Sequence, residues 1–312
     1  MLRKTVLAAV ATAAAALTLP GVASADPVLT APERCARISD LAGPDFHVRQ
    51  CGASDVDQFR AGFAGNGNSH CGPASLYNVL HYWGRQKDAP VGWLTTEVGN
   101  LNPTDPADYN VVTNSIGRIA TDAGWSHEDG TNTTNLRAAW NVATAPAKNS
   151  GWSVDSGFVN SHSAADFAGD LARKLDWGPL QLVYGRYADG PQDSLKRTGG
   201  HLVTVVSAKG SFNGDVVELK LADPGRAPDH GQGSYLATQS AYEALDVKLE
   251  RVGFKQYVPS KDDPNTPVNE ALLPGTYKDV ERWELTGPRY VSDTTRQMVE
   301  GFNWFVMSPP VG

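Results

Sequence analysis

Three residues far apart in the chain carry the side chains of a nucleophilic centre. Cys71 heads the run Cys71-Gly72-Pro73-Ala74-Ser75-Leu76-Tyr77-Asn78-Val79-Leu80, His201 follows Gly199-Gly200, and Asp223 stands just before Pro224. A thiol attacks a carbonyl carbon only as the thiolate, so it needs surroundings that lower its pKa and a base to handle its proton. An imidazole supplies the base, and a carboxylate on the far ring nitrogen orients the ring and supports the imidazolium. The histidine comes 130 residues after the cysteine and the aspartate 152 after it. Taken singly, each residue also has an ordinary reading. Cys71 fits as a small buried hydrophobe, His201 as a polar strand end, and Asp223-Pro224 as a turn initiator.

The elements that must position these residues are legible around them. Pro73 near a first helical position, apolar Leu76, Val79, Leu80 and Trp83, and Gly84 as a stop predict a helix that begins at Cys71. A thiol there meets the positive end of the helix dipole and free backbone N–H groups, both of which favour the thiolate. His201 opens an apolar strand through Ser207, and Val216 to Ala222 predicts a second, with Lys209-Gly210-Ser211-Phe212-Asn213-Gly214 between them as a hairpin turn. A turn near Ser211 and Phe212 places His201 opposite Ala222 and beside Asp223, across strands about 4.8 Å apart. Register decides this pairing: a one-residue slip turns Asp223 to the other face, and a turn on Asn213-Gly214 shifts it further. The remaining six of the seven histidines have weaker claims. His47 lies near the N-terminus, His127 and His162 in polar loops, and His230 in a Pro/Asp/Gly-rich loop. His81 is ten residues along the helix from Cys71, and His70 is its chain neighbour, a position from which side chains rarely face each other.

Further helices are expected over Val111 to Ala123, Thr134 to Val142 and Ser163 to Leu175. Further strands are expected over Leu180 to Tyr184, Phe254 to Val258, Val280 to Leu285 and Trp304 to Met307. Loops are expected over 60–69, 100–110 and 259–278. Helices come first and antiparallel strands follow, which is the order of an α+β domain with the Cys-bearing helix packed on the sheet.

Residues 1–25 have the form of a secretory signal: Arg3 and Lys4, an apolar stretch, then Ala23-Ser24-Ala25 before Asp26. The competing reading, a membrane anchor, is disfavoured by the short apolar run and its break at Pro20-Gly21. The mature chain is thus expected to be secreted, extracellular and without a membrane anchor. In an oxidising compartment two of the three cysteines, Cys35 and Cys51, can pair, which leaves Cys71 as the odd thiol. Residues 26–57 read as an N-terminal extension carrying that disulfide. Residues 58–312 read as the main domain, with a core at 58–235 and C-terminal strands at 236–312. The formal charge of −7 becomes −9 without Arg3 and Lys4, and there is no basic patch, so nucleic acid is not an expected partner. With no Cys-x-x-Cys and no His-Glu-x-x-His, no metal site and no cofactor are expected.

Cys-Gly-Pro-Ala-Ser opening an apolar helix, Gly-His before a valine-rich strand, and a strand ending in Asp-Pro together resemble papain-like cysteine peptidases. The likeness is to the bacteriocin-processing, double-glycine leader type, and among these to stand-alone secreted relatives. It covers about residues 58–235. The resemblance implies a papain-like fold, Cys71 as nucleophile, His201 as general base and acid, Asp223 as orienter, and a peptide or protein substrate. The chain departs from that pattern in lacking a glutamine a few residues before the cysteine. Asn66 or Asn68, beside the Cys71 backbone N–H, is the candidate oxyanion donor in its place, and Gln58 lies thirteen residues upstream. Two other functions fit the same scaffold: an amidase or acyltransferase acting on cell-wall peptides, and a non-catalytic binding module.

Overall fold

A computed structural model describes residues 35–60, 62–92, 106–162, 166–225, 245–258, 276–287, 290, 292 and 294–311. The expected signal, His230 and most of the 259–278 loop lie outside these residues. Helix α1 (Cys71–Gln86) begins at the expected residue and is buried on every side from Gly72 to Trp83. It packs between α2 (Pro106–Asp122) and α3 (Thr133–Ala143) and the sheet strand β5. Helix α2 starts within the stretch expected to be a loop, since Pro106 takes a first helical position where its missing N–H costs nothing. Asn132 caps α3 by accepting from the Asn135 N–H at 2.8 Å. A short α4 (Ala145–Asn149) and α5 (Phe167–Leu175) complete the α-helices among the described residues, α5 on an Asp166 cap.

The described residues form a mixed α+β structure around one nine-stranded sheet. The strands are β1 (Ile38–Asp40), β2 (Asp45–Arg49), β3 (Ser153–Asn160), β4 (Leu180–Asp189), β5 (Leu195–Ser211), β6 (Val216–Ala222), β7 (Leu245–Val258), β8 (Thr276–Thr286) and β9 (Arg296–Ser308). Antiparallel pairings run β5–β4–β9–β8–β7–β6 and return to β5 through the β5–β6 hairpin, so six strands close on themselves. Strands β1 and β2 add to the β5 edge, and β3 adds to β9. The segment expected as an N-terminal extension therefore contributes two strands to the main sheet, tied by the Cys35–Cys51 disulfide. Strand β3 was not anticipated, because Ser153-Val-Asp-Ser-Gly-Phe-Val-Asn160 is rich in residues depleted from strands.

Two large apolar cores flank the sheet, besides a small cluster of Tyr187, Leu195 and Met298. One joins α1, α2, α3 and α4 to Val183, Leu202, Val206, Phe305 and Met307. The other joins α5 to Leu182, Val203, Val205, Leu219, Leu249 and Phe302. No helix among the described residues is long and apolar enough to cross a membrane.

Candidate active site

Cys71 is the first residue of α1, half-buried and the only free cysteine among the described residues. A hydrogen-bonded chain fixes this helix end to the sheet. Arg137 donates to Asn303 Oδ1 (3.1 Å), Asn303 donates to Gln181 Oε1 (2.8 Å), and Gln181 donates to the Gly72 carbonyl (2.9 Å). Gln181 and Asn303 are fully buried, so each partner lost would leave an unpaired polar group. Gly72 permits the close approach of the next segment, since a Cβ there would lie 2.7 Å from the Thr131 methyl. Deeper in the helix, Asn78 accepts from Ser54 Oγ and the Val56 N–H and donates to Thr204 Oγ1, which ties α1 to β5.

His201 lies on β5 opposite Tyr184 of β4. It is not the first residue of its strand, which begins at Leu195, so Gly199 and Gly200 lie inside the strand. Its Nε2 is 2.6 Å from Asp223 Oδ1, with the carboxylate wholly buried. The other ring nitrogen is left for Cys71, whose thiol is electrostatically coupled to the imidazole. The hairpin register differs from the expectation. Its turn is on Asn213-Gly214, where Asn213 has φ +63°, and Ala222 pairs with Thr204 rather than His201. The register also shifts by one between Val205 and Ser207. Continuing the Thr204–Ala222 pairing by one residue sets Asp223 opposite Val203, on the side of the sheet that His201 shares. The register on the turn side of the irregularity would have set it opposite Thr204, facing α1.

Two residues that the sequence did not single out complete the carboxylate's surroundings. The Tyr290 hydroxyl donates to Asp223 Oδ2, and the Gly225 N–H donates to Oδ1 at 2.8 Å. Gly225 lies against the imidazole: a Cβ there would be 2.6 Å from His201 Cε1. Asp-Pro-Gly carried a turn signal only, and Tyr290 carried none.

The electrostatics follow from this packing. Burial alone would push the Cys71 thiol up. The His201 imidazolium and the backbone N–H groups of Leu202 and Gly72 outweigh that and hold it below its ordinary value. Burial likewise opposes a charged His201, but the Asp223 carboxylate and the Cys71 thiolate raise its pKa. Asp223, which burial would raise, is held low by His201, Tyr290 and the Gly225 N–H. At neutral pH these values keep His201 as the imidazolium and Asp223 as the carboxylate, and that arrangement moves the Cys71 thiol towards the thiolate.

Cys71 and His201 open into a cavity of about 820 Å³. Its helix-side wall carries Asn68, Ser69, Glu128 and Asp129, and its sheet-side wall carries Arg186, Arg197, Arg282 and Glu300. Of the two candidate oxyanion residues, Asn68 lines this cavity. It also lines a second one of about 400 Å³ on the other side of His201, together with Gln58 and Gly225. Asn66 is exposed and lines neither, because positive φ at Gly65 and Asn66 turns that stretch away. The Gln58 side chain is buried and donates to the Gly67 carbonyl at 3.2 Å, and its backbone N–H bonds to the Pro224 carbonyl. His70 is sandwiched between Phe63 and Trp125, at 4.3 and 4.0 Å between ring centroids, and acts as a wedge holding the loop before Cys71.

No protein-family model matches the chain, and no curated protein matches it.

Proposed function

We propose that the chain is a secreted, papain-like cysteine peptidase that hydrolyses peptide bonds through a Cys71 acyl-enzyme. One observation carries the reading. A thiol at a helix N-terminus lines the same open cleft as an imidazole to which it is electrostatically coupled, and that imidazole's Nε2 lies 2.6 Å from a buried carboxylate. The Cys-bearing helix against an antiparallel sheet supports the papain-like form, and the Cys35–Cys51 disulfide supports export.

In this reading the Cys71 thiolate attacks the scissile carbonyl carbon, forming a C–S bond and moving the π electrons onto oxygen. The backbone N–H of Cys71 and the side chain of Asn68 are the donors offered to that oxyanion. Collapse restores the carbonyl and breaks the C–N bond, while the His201 imidazolium gives its proton to the leaving amine. His201, now neutral, takes a proton from water as the hydroxide attacks the thioester. The carboxylic product leaves, and thiolate and imidazolium are restored. Asp223 keeps the ring in place throughout and stays ionised.

The test is the rate of Cys71 alkylation by iodoacetamide against pH, read by intact mass on the mature protein and on His201→Ala. Fast labelling well below pH ~8 that disappears in the variant supports the pair. Slow labelling that follows an ordinary thiol pKa of about 8.5 in both proteins refutes it.

A further inference from the structure

The sheet-side wall of the cleft holds more positive charge than its own carboxylate neutralises. Arg282, on β8, is only 7% exposed, yet its described hydrogen-bond partners are neutral, and the Glu300 carboxylate acts on it only from beyond ion-pair distance. Its Nη2 donates to Gln256 Oε1, its Nη1 contacts the His162 ring, and its buried Nε has no hydrogen-bond partner. His162 stays neutral there, since burial and the adjacent guanidinium both lower its pKa. Arg186, on β4, is exposed and makes one long contact, 3.5 Å to the Gly200 carbonyl beside His201. Neither arginine forms an ion pair with a described carboxylate. Glu300, the one carboxylate of this wall, is held by Arg197 through a two-pronged pair at 2.6 and 3.1 Å and by the Tyr187 hydroxyl. Gly185 and Gly200 make room for that pair, since a Cβ at either would lie within 2.7 Å of its atoms.

A buried guanidinium with no carboxylate in ion-pair contact is expensive, and the cost is relieved when an anion arrives. The planar fork matches a carboxylate, to which it can donate twice. The opposite wall carries Glu128 and Asp129, so an anionic group entering the cleft is repelled there and drawn to the sheet side.

The geometry points to a carboxylate-binding subsite formed by Arg282 and Arg186 in the same cleft as Cys71. The preferred substrates would then be peptides with a carboxylate near the scissile bond, whether an Asp or Glu side chain or a free C-terminus. This rests on Cys71 being the nucleophile, and the test separates the two claims. Active-site-directed probes are made in matched pairs: iodoacetyl-peptides and peptidyl chloromethyl ketones carrying Glu or Gln, and iodoacetyl-peptides ending in free acid or amide. Each Cys71 labelling rate on the mature protein is divided by that of iodoacetamide on the same protein. The acidic member of at least one pair should label roughly ten-fold faster, as hydrogen bonds to a charged partner imply. The ratio should fall towards one in Arg282→Gln. Arg186→Gln, at an exposed position, should reduce it as well and serves if Arg282→Gln does not fold. A response in the Glu/Gln pairs identifies a side-chain carboxylate, and one in the acid/amide pairs a chain terminus. Fast iodoacetamide labelling with no acid preference, or a preference that survives both substitutions, overturns the subsite alone. Slow iodoacetamide labelling with an ordinary thiol pH profile overturns the nucleophile reading, and the subsite with it.

Discussion

Gly225→Ala tests the clamp on His201 with one methyl group. That methyl would sit 2.6 Å from Cε1 and 2.8 Å from Nε2 of the imidazole, and 3.3 Å from Asp223 Oδ1. Non-bonded carbons settle at about 3.5–4.0 Å, so the ring has to retreat by about 1 Å. The His201–Asp223 contact of 2.6 Å then stretches to the limit of a hydrogen bond. A displacement of about 1 Å at a reacting group can cost on the order of 100-fold in rate. The backbone bond from residue 225 to Asp223 survives the substitution, so the fold should hold. The assay is the iodoacetamide labelling rate at pH 6, paired with a thermal melt. Gly199→Ala is the control, because its added Cβ meets nothing within 4 Å; it should stay within about two-fold of the parent, as for a substitution in open space. If Gly225→Ala labels at the parent rate with an unchanged melting temperature, the ring is not held where the structure places it, and the orienting role of Asp223 falls.

Tyr290→Phe removes one donor from Asp223 Oδ2 without changing shape. A hydrogen bond to a charged group contributes about 1.5–3 kcal/mol, so stability at neutral pH, measured by denaturant titration, should fall by about that much and the acid loss of stability should begin at higher pH. Unchanged stability would show that the hydroxyl does not support the carboxylate. The disulfide closes a segment with a sequence separation of 16. Replacing both Cys35 and Cys51 with Ser should therefore lower unfolding stability by about 3 kcal/mol, measured by denaturant titration. Acid should also weaken the fold. The pKa of Asp223 is depressed to about 2, below the ordinary carboxyl value. Its contribution to stability is thus complete above pH ~4 and lost as the pH falls towards ~2. In Asp223→Asn that part of the acid sensitivity should vanish from a pH series of melts.

The elements whose signal is local were the legible ones. Helix α1 starts at Cys71 because Pro73, the apolar spacing and the polar loop before it agree, and β6 spans Val216–Ala222 as its alternation predicts. Strands β4, β5, β7, β8 and β9 were each found by an apolar stretch and each run longer than it, since their polar ends are paired by neighbours distant in sequence. Tyr290, Gln181 and Asn303 could not be found from local pattern. Each matters through partners more than 60 residues away, among them Asp223 for Tyr290, Gly72 for Gln181, and Gln181 for Asn303.

The β5–β6 hairpin shows why residue types were easier to read than geometry. Alternation along β5 implies one face for Val203, Val205 and Ser207, yet Val203, Val205 and Ala208 share a core while Val206 faces the helices. The irregularity after Val205 changes the parity of the strand. Without it, the turn at Asn213-Gly214 would point Asp223 at α1, where Thr204 already bonds to the Ser75 carbonyl. With it, the carboxylate emerges on the side of His201. A β-bulge re-aims side chains at small cost to the ladder, and here it decides whether three suitable residues can act together. No residue type near Val206 announces it. The site thus depends on a single extra residue in one strand, and deleting Val206 should separate His201 from Asp223 while leaving all three candidate residues in the chain.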